Sequence, residues 1–226
     1  MEKTSAGRSK VILAFILLFG PAFFLVFIGT RGCEHKFQEL GDFGPVKETS
    51  FKVYGGGTKS LSDFKGDVII ITTLQKTCPE DCAISFWHVD QMIYQHIRKN
   101  KRKKLKQVRI ISFATDGKGN PLPESELKTI NDALKDNVEE YDPELWLIAS
   151  GNARKVYDFK HNGQSLLQHG KKYYGGEGFQ ELILLLDKEN HLRMVLPGKE
   201  EGLVRRMKED IALLQKQYDK ERKHKK

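Results

Sequence analysis

The sequence holds only three cysteines in 226 residues. That excludes a scaffold stapled by several disulfides and leaves one close pair, Cys78 and Cys82, with Cys33 over. No segment repeats, which excludes a solenoid or array. Two strongly basic runs, Arg98 to Lys106 and Lys220 to Lys226, contain no aromatic side chain on which a base could stack. Nucleic acid is therefore not an expected partner; the runs read as solvated surface, with attraction to anionic lipid headgroups as a second use. No Ala-x-Ala pattern follows the first apolar run, which argues against a cleaved secretory signal, and a mitochondrial presequence, usually rich in arginine and serine, is the weaker alternative. In Thr30-Arg31-Gly32-Cys33 the arginine argues against lipid attachment at Cys33.

What is present begins with Val11 to Ile28, an uncharged apolar run broken only by Gly20-Pro21 and preceded by Lys3, Arg8 and Lys10. About 20 residues cross a bilayer, and with Gly29 and Thr30 the run suffices. The expectation is a cytoplasmic N-terminus over residues 1–10 and an uncleaved transmembrane signal anchor over 11–30. Outside the membrane would follow a tether over 31–50, one folded domain over 51–218 and a basic tail over 219–226. The net charge of +8 lies largely in the two basic runs.

Within the domain, Phe51 to Tyr54 alternates as a half-exposed strand, Gly55-Gly56-Gly57 turns it, and the pair resembles an N-terminal hairpin leaning on the core. Val68 to Ile71, in a strand over 68–73, is a β-branched run that suits a central strand buried on both faces, and Val108 to Phe113 is the next strand. Helical spacing marks 82–98, 125–136, 152–159 and a long C-terminal helix carrying Leu203, Met207, Ile211 and Leu214. Leu145 to Ile148 is a further strand, and Glu181 to Leu186 with His191 to Leu196 form a hairpin across a four-residue turn. The order β-α-β-α-β-α-β-β-α predicts an α/β thioredoxin-like fold, with helices on both faces of a mixed sheet.

The chemistry concentrates at Thr77-Cys78-Pro79-Glu80-Asp81-Cys82, between the Val68 to Thr73 strand and the following helix. Cys82, Phe86, Val89, Ile93 and Ile97 share one helical face, so Cys82 opens the face that packs on the sheet. Cys78 lies just before the helix, whose N-terminal partial charge favours a thiolate, while Glu80 and Asp81 oppose it. Two thiols held this way can cycle through a disulfide or bind a soft metal ion; a structural disulfide or an inert pair is the bland alternative.

These residues resemble the Sco/SenC family, membrane-anchored thioredoxin-like proteins that deliver copper during cytochrome c oxidase assembly. The likeness runs from the tether to the C-terminal helix. Its most specific part is the C-P-x-x-C of Cys78 to Cys82, supported by the anchor and by the Ile110-Ile111-Ser112-Phe113 strand with its Asp-bearing loop; Ala83 stands where that family usually has proline. The resemblance implies Cys78 and Cys82 as Cu(I) thiolates, an imidazole as third ligand, and a copper-bearing oxidase subunit or another thiol protein as partner. It also implies a single-pass location in the bacterial inner (cytoplasmic) membrane, the domain facing the periplasm or outside.

The histidines are then the test. His88 lies about 9 Å along the helix from Cys82 and is rotated off its face, and His96 lies about 21 Å away. His35 and His224 fall in the tether and tail, and His191 in the distal hairpin. The Asp-His pair usual before the penultimate strand is missing near Gly178-Phe179, leaving His161 and His169; His169 is the candidate ligand, with Glu177, water or no third ligand as alternatives. No proline occurs between Pro143 and Pro197 to serve as the cis-proline of thioredoxin-like reductases. The first functional reading is a Sco-like copper chaperone or assembly factor. Its enzymatic rival is a membrane-tethered thiol-disulfide oxidoreductase without metal, in which Cys78, helped by Lys76, attacks and Cys82 resolves. A third is a binding module in which the thiols are incidental.

Overall fold

The computed structural model describes residues 5–31, 40–75, 80–100, 107–161, 163–165 and 182–224, with no side chains at 5–9, 12, 29–31, 80–83, 161, 164, 220 and 222–224. Two units are distinct, Met1–Gln38 and Glu39–Lys226. The first contains α1 (Ser5–Arg31), 27 residues with Pro21 inside. Its apolar side chains are exposed from Val11 through Ile28 wherever they are described. Among the described residues no helix is long and apolar enough to cross a membrane, the side chains of α1 being described only at 10–11 and 13–28.

The second unit is built on β-branched and apolar runs that can be buried on both faces. β3 (Val68–Gln75) pairs in parallel with β4 (Val108–Thr115), and β4 in parallel with β5 (Trp146–Gly151). β8 (Leu182–Leu186) runs antiparallel to β3 and turns back into β9 (Leu192–Pro197). On the other side, β1 (Ser50–Val53) pairs antiparallel with both β2 (Gly57–Ser60) and β5. The N-terminal hairpin thus does more than lean on the core. Inward-facing Phe51 and Val53 are buried, and β1 satisfies backbone groups that β5 would otherwise present at an open edge. The seven-stranded order is β2-β1-β5-β4-β3-β8-β9. A separate two-stranded piece joins β6 (Lys160–His161) to β7 (Gln164–Ser165).

Alternation sends the strand side chains into two cores. One face is covered by α2 (Glu80–His88), a π-helical stretch Val89–Tyr94, α3 (Gln95–Lys99), α4 (Glu124–Asn137) and α6 (Glu201–His224). The other is covered by the 3₁₀ turn Leu61–Phe64 and α5 (Ala153–Tyr157). The helix expected over 82–98 therefore exists, but not as one regular α-helix. Widening its turn at Val89–Tyr94 brings Tyr94, five residues after Val89, onto the inward face with Ile93 and Ile97. There the Tyr94 hydroxyl donates to Glu140 O at 2.6 Å and accepts from Asp142 N at 2.8 Å.

Residues 40–49 belong to this unit, although their glycines and Pro45 give them the composition of a tether. Phe43 N donates to Leu192 O, Leu192 N to Gly44 O and Val46 N to Asn190 O, each at 2.9–3.0 Å, and Val46 and Thr49 are buried. Side chains fasten the strap: Asp42 Oδ2 lies 3.0 Å from His191 Nδ1, and Arg193 donates to Leu40 O and to Asp187. The His191 hydrogen bond, then the Gly44 amide, hold the Asp42 carboxyl below its ordinary value of 3.8. The stabilisation is therefore present above the ordinary carboxylate range and is lost as the pH falls through the lowered value. Asp42→Asn is expected to cost less than about 1 kcal/mol at neutral pH, because the pair is solvent-screened. In urea titrations at a series of pH values, the gap between variant and parent should close on acidification; a gap that widens in acid would contradict this account.

Candidate functional site

β3 leaves the sheet at Gln75 and α2 begins at Glu80, so the segment 76–79 is a strand-to-helix connection at the C-terminal end of two parallel strands. Cys78 and Lys76 lie in that segment, outside the described residues, as do Cys33, His169 and Glu177. Cys82 is the third residue of α2, and the side chains of Glu80, Asp81 and Cys82 are not among those described. A helix N-terminus beside an open sheet end supplies unpaired amides and a partial positive charge.

His169 and Glu177 precede β8 in the chain, outside the described residues. Ile71 pairs with Leu184 in an antiparallel register, which sets Leu182, where β8 begins, level with Thr73. The chain thus enters β8 at the same sheet end at which it leaves β3 for the cysteines. A buried tyrosine pins that point: Tyr157, fully buried, donates its hydroxyl to Leu182 O at 2.9 Å, and burial raises its pKa well above the ordinary tyrosine value. Tyr157→Phe leaves a buried carbonyl without this donor and is expected to cost about 1–2 kcal/mol in equilibrium unfolding; an unchanged midpoint would mean that the bond contributes nothing net.

Beneath α2 at Phe86 lies a buried polar chain. Trp146 Nε1 donates to Ser112 Oγ at 2.8 Å, and Ser112 Oγ lies 2.6 Å from Thr72 Oγ1. Ser112 is fully buried and Thr72 nearly so. The indole also packs against Phe86 and Tyr94, with ring centroids 5.5 and 5.4 Å away. Phe86 is four residues after Cys82 on the helix, so the two share a face. At Phe86 the sheet side of α2 therefore meets an indole bonded to a hydroxyl rather than a purely aliphatic surface. The signal was present in the sequence as Thr72-Thr73 and Ser112, polar residues inside strands otherwise composed for full burial. Away from the sheet, Ile84 and Trp87 of α2 are 45% and 53% exposed.

The histidines whose side chains are described, His88, His96 and His191, serve packing and surface. His88 is buried with Nδ1 2.8 Å from Gly198 O, a partner outside the site. His96 is half-buried, with its Nδ1 3.3 Å from Asn100 Nδ2; burial first, then Lys208, lowers its pKa. His191 binds Asp42 in the strap. His161 lies in β6 and His224 ends α6, and neither side chain is among those described; His35 is outside the described residues. Among the described residues no group of three or more His, Cys, Asp or Glu side chains could hold a metal ion.

No protein-family model matches the sequence, and no curated protein matches it. Solved structures do. BsSco, a member of the Sco family of cytochrome c oxidase assembly proteins in which a disulfide switch was identified, is 18% identical and superposes with a TM-score of 0.55 over 79% of this chain and 96% of its own. A SCO1/SenC family lipoprotein from Bacillus anthracis str. Ames is also 18% identical, with a TM-score of 0.55 over 76% of this chain and 95% of its own. At that identity the likeness is one of fold: this chain shares the mixed α/β, thioredoxin-like fold of the Sco proteins.

Proposed function

We propose that the chain is a membrane-anchored Sco/SenC protein that uses Cys78 and Cys82 as a dithiol in cytochrome c oxidase assembly. The observation that carries this reading is the position of the Cys78-Pro79-Glu80-Asp81-Cys82 motif, between the C-terminal end of β3 and the first turn of α2, in a fold shared with Sco proteins. Thiolates there suit Cu(I), which prefers soft ligands. In the proposed role copper is cargo: the thiolates take it up as Cu(I) and release it to a copper-bearing oxidase subunit, or the same thiols keep that subunit's cysteines reduced. His169 is the proposed third ligand, carried by the loop that enters β8 beside the dithiol end. α1 is the proposed single-pass anchor in the inner membrane, with residues 39–226 outside.

The test is genetic and biochemical together. Cells carrying the Cys78→Ser/Cys82→Ser double variant are expected to lose spectroscopically detectable oxidase while the variant protein accumulates at parental levels. Unchanged oxidase assembly would overturn the reading. Catalytic turnover of a disulfide substrate that is indifferent to copper chelation would transfer the dithiol to oxidoreductase chemistry.

A further inference from the structure

At the end of the sheet where β3, β4 and β5 begin lies a cavity of about 590 Å³ whose lining residues the dithiol reading does not use. Sites for small molecules occupy about 300–1,000 Å³. The Val68–Val108 pair marks this end of the sheet, and Gln75, from which the chain leaves for the cysteines, marks the other. At about 3.3 Å per residue the two ends of β3 are about 23 Å apart.

The lining combines an apolar wall with fixed positive charge. Val53, Phe64 and Leu147 are buried members of the second core, and Tyr54 and Pro143 extend their surface. Arg109 from β4, Lys59 from β2 and Lys135 from α4 reach the same space. Arg109 is held in one pose: its Nε donates to Asp67 at 2.6 Å and its Nη1 to Glu144 O at 2.5 Å. A guanidinium has five N–H groups, so the rest of the fork has no partner among the described residues. Lys59 stands over the Phe64 ring, 5.3 Å from its centroid, and Lys135 has no ion-pair partner among the described residues. Two of the lining carboxylates are already engaged, Asp67 with Arg109 and Asp63 with the Ser60 amide at 2.6 Å. Glu144 is exposed and is the one lining acid left to offset the lysines.

A buried amide also lines the cavity. α4 turns Leu127, Asn131 and Leu134 inward, and Asn131 is 2% exposed. Its Nδ2 reaches Asp132 Oδ1 at 3.5 Å, the outer limit of a hydrogen bond, and its Oδ1 has no donor among the described residues. An inward position on α4 suits an apolar side chain, and a buried amide this poorly paired costs stability unless another group satisfies it.

We propose that this cavity binds a small aromatic carboxylate that carries one N–H or O–H donor. Arg109 and Lys135 hold the carboxylate, the wall of Tyr54, Phe64 and Leu147 takes the ring, and Asn131 Oδ1 accepts from the donor. A single negative charge matches this lining better than a doubly charged phosphate, because Glu144 shares the space. The inference stands apart from the dithiol reading and does not depend on it.

Residues 39–226 contain the whole seven-stranded sheet and both cores, and so fold without α1. The fragment, labelled with nitrogen-15, is titrated with indole-3-acetate and, separately, with indole-3-acetamide, which has the same shape and no charge. The expected result is a set of amide shifts at Tyr54, Gly55 and Arg109 that saturates with a dissociation constant below about 1 mM for the acid. The amide should bind at least about tenfold more weakly, since it forgoes the charged hydrogen bonds. Lys135→Glu should weaken the acid by about threefold to fivefold. Asn131→Leu places an apolar side chain on the inward face of α4; it should leave the melting temperature no lower and still weaken the acid by about threefold to tenfold. A merely structural asparagine would not move the binding. Absence of saturable shifts up to about 10 mM would overturn the proposal, as would equal binding of acid and amide, shifts confined to residues outside the cavity, or folded variants that bind like the parent.

Discussion

Trp146→Ala is expected to destabilise residues 39–226 by about 3–5 kcal/mol, the range for deleting a large buried aromatic. Trp146 is fully buried, packs against Phe86 and Tyr94, and donates to Ser112. Its carbonyl accepts from the Tyr141 hydroxyl at 2.9 Å. Alanine would leave a cavity under α2 and remove the donor that fixes Ser112. Because whole-domain stabilities are about 5–15 kcal/mol, the variant should be close to the unfolding threshold. A domain of this size shifts by about 2–4 °C per kcal/mol, so the melting temperature should fall by roughly 6–20 °C. Trp146→Phe keeps most of the packing and loses the N–H, and should cost about 1–3 kcal/mol. If alanine and phenylalanine cost the same, packing against Phe86 is not what the indole contributes.

Under the proposed function, Cys82→Ser is expected to lower Cu(I) affinity by more than about 100-fold. Replacing an outer-shell partner of a metal ligand already costs about 10–100-fold, and this change replaces a soft thiolate ligand by a hard, neutral hydroxyl. Cysteine and serine are nearly isosteric, and Cys82 is near the start of a helical segment that the π-helical stretch and α3 hold in place through Val89, Ile93 and Ile97. The melting temperature of the reduced protein should therefore change little. Loss of binding together with loss of fold would indicate a structural role for Cys82; retained binding in a folded variant would remove it from the copper site.

Much of this architecture was legible because strands and helices announce themselves by period. Val68 to Ile71 is too apolar to be anything but buried, and Leu127 with Leu134, or Met207 with Ile211 and Leu214, mark helix faces that the structure buries. The strap was not legible. Its hold on the β8–β9 turn comes from backbone pairs at Phe43, Gly44 and Val46 and from Asp42–His191, none of which leaves a periodic trace. The π-helical stretch escaped for a related reason, since its effect is to break the 3.6-residue period at Tyr94.

Polar residues in buried places were the other gap. Asp210 sits on the inward face of α6 between Met207 and Leu214, and burial, more than Arg206 can offset, raises its carboxyl pKa. Periodicity assigns such a residue to solvent. At the candidate site, the motif, its strand and its helix were visible in sequence, whereas the hydroxyl pair of Thr72 and Ser112 beneath them depended on which strands become neighbours. The same holds for the sheet end shared by β3's exit and β8's start, which follows from the antiparallel register of two strands more than a hundred residues apart.

The central claim is that Cys78 and Cys82 form a site for Cu(I), and anaerobic titration of the reduced full chain in detergent against a competing Cu(I) chelator tests it most directly. The account predicts that the protein takes about one equivalent of Cu(I) from the chelator, as a soft two-thiolate site should, and that alkylating the thiols beforehand abolishes the uptake. Failure of the reduced, unalkylated chain to draw Cu(I) from the chelator would contradict it.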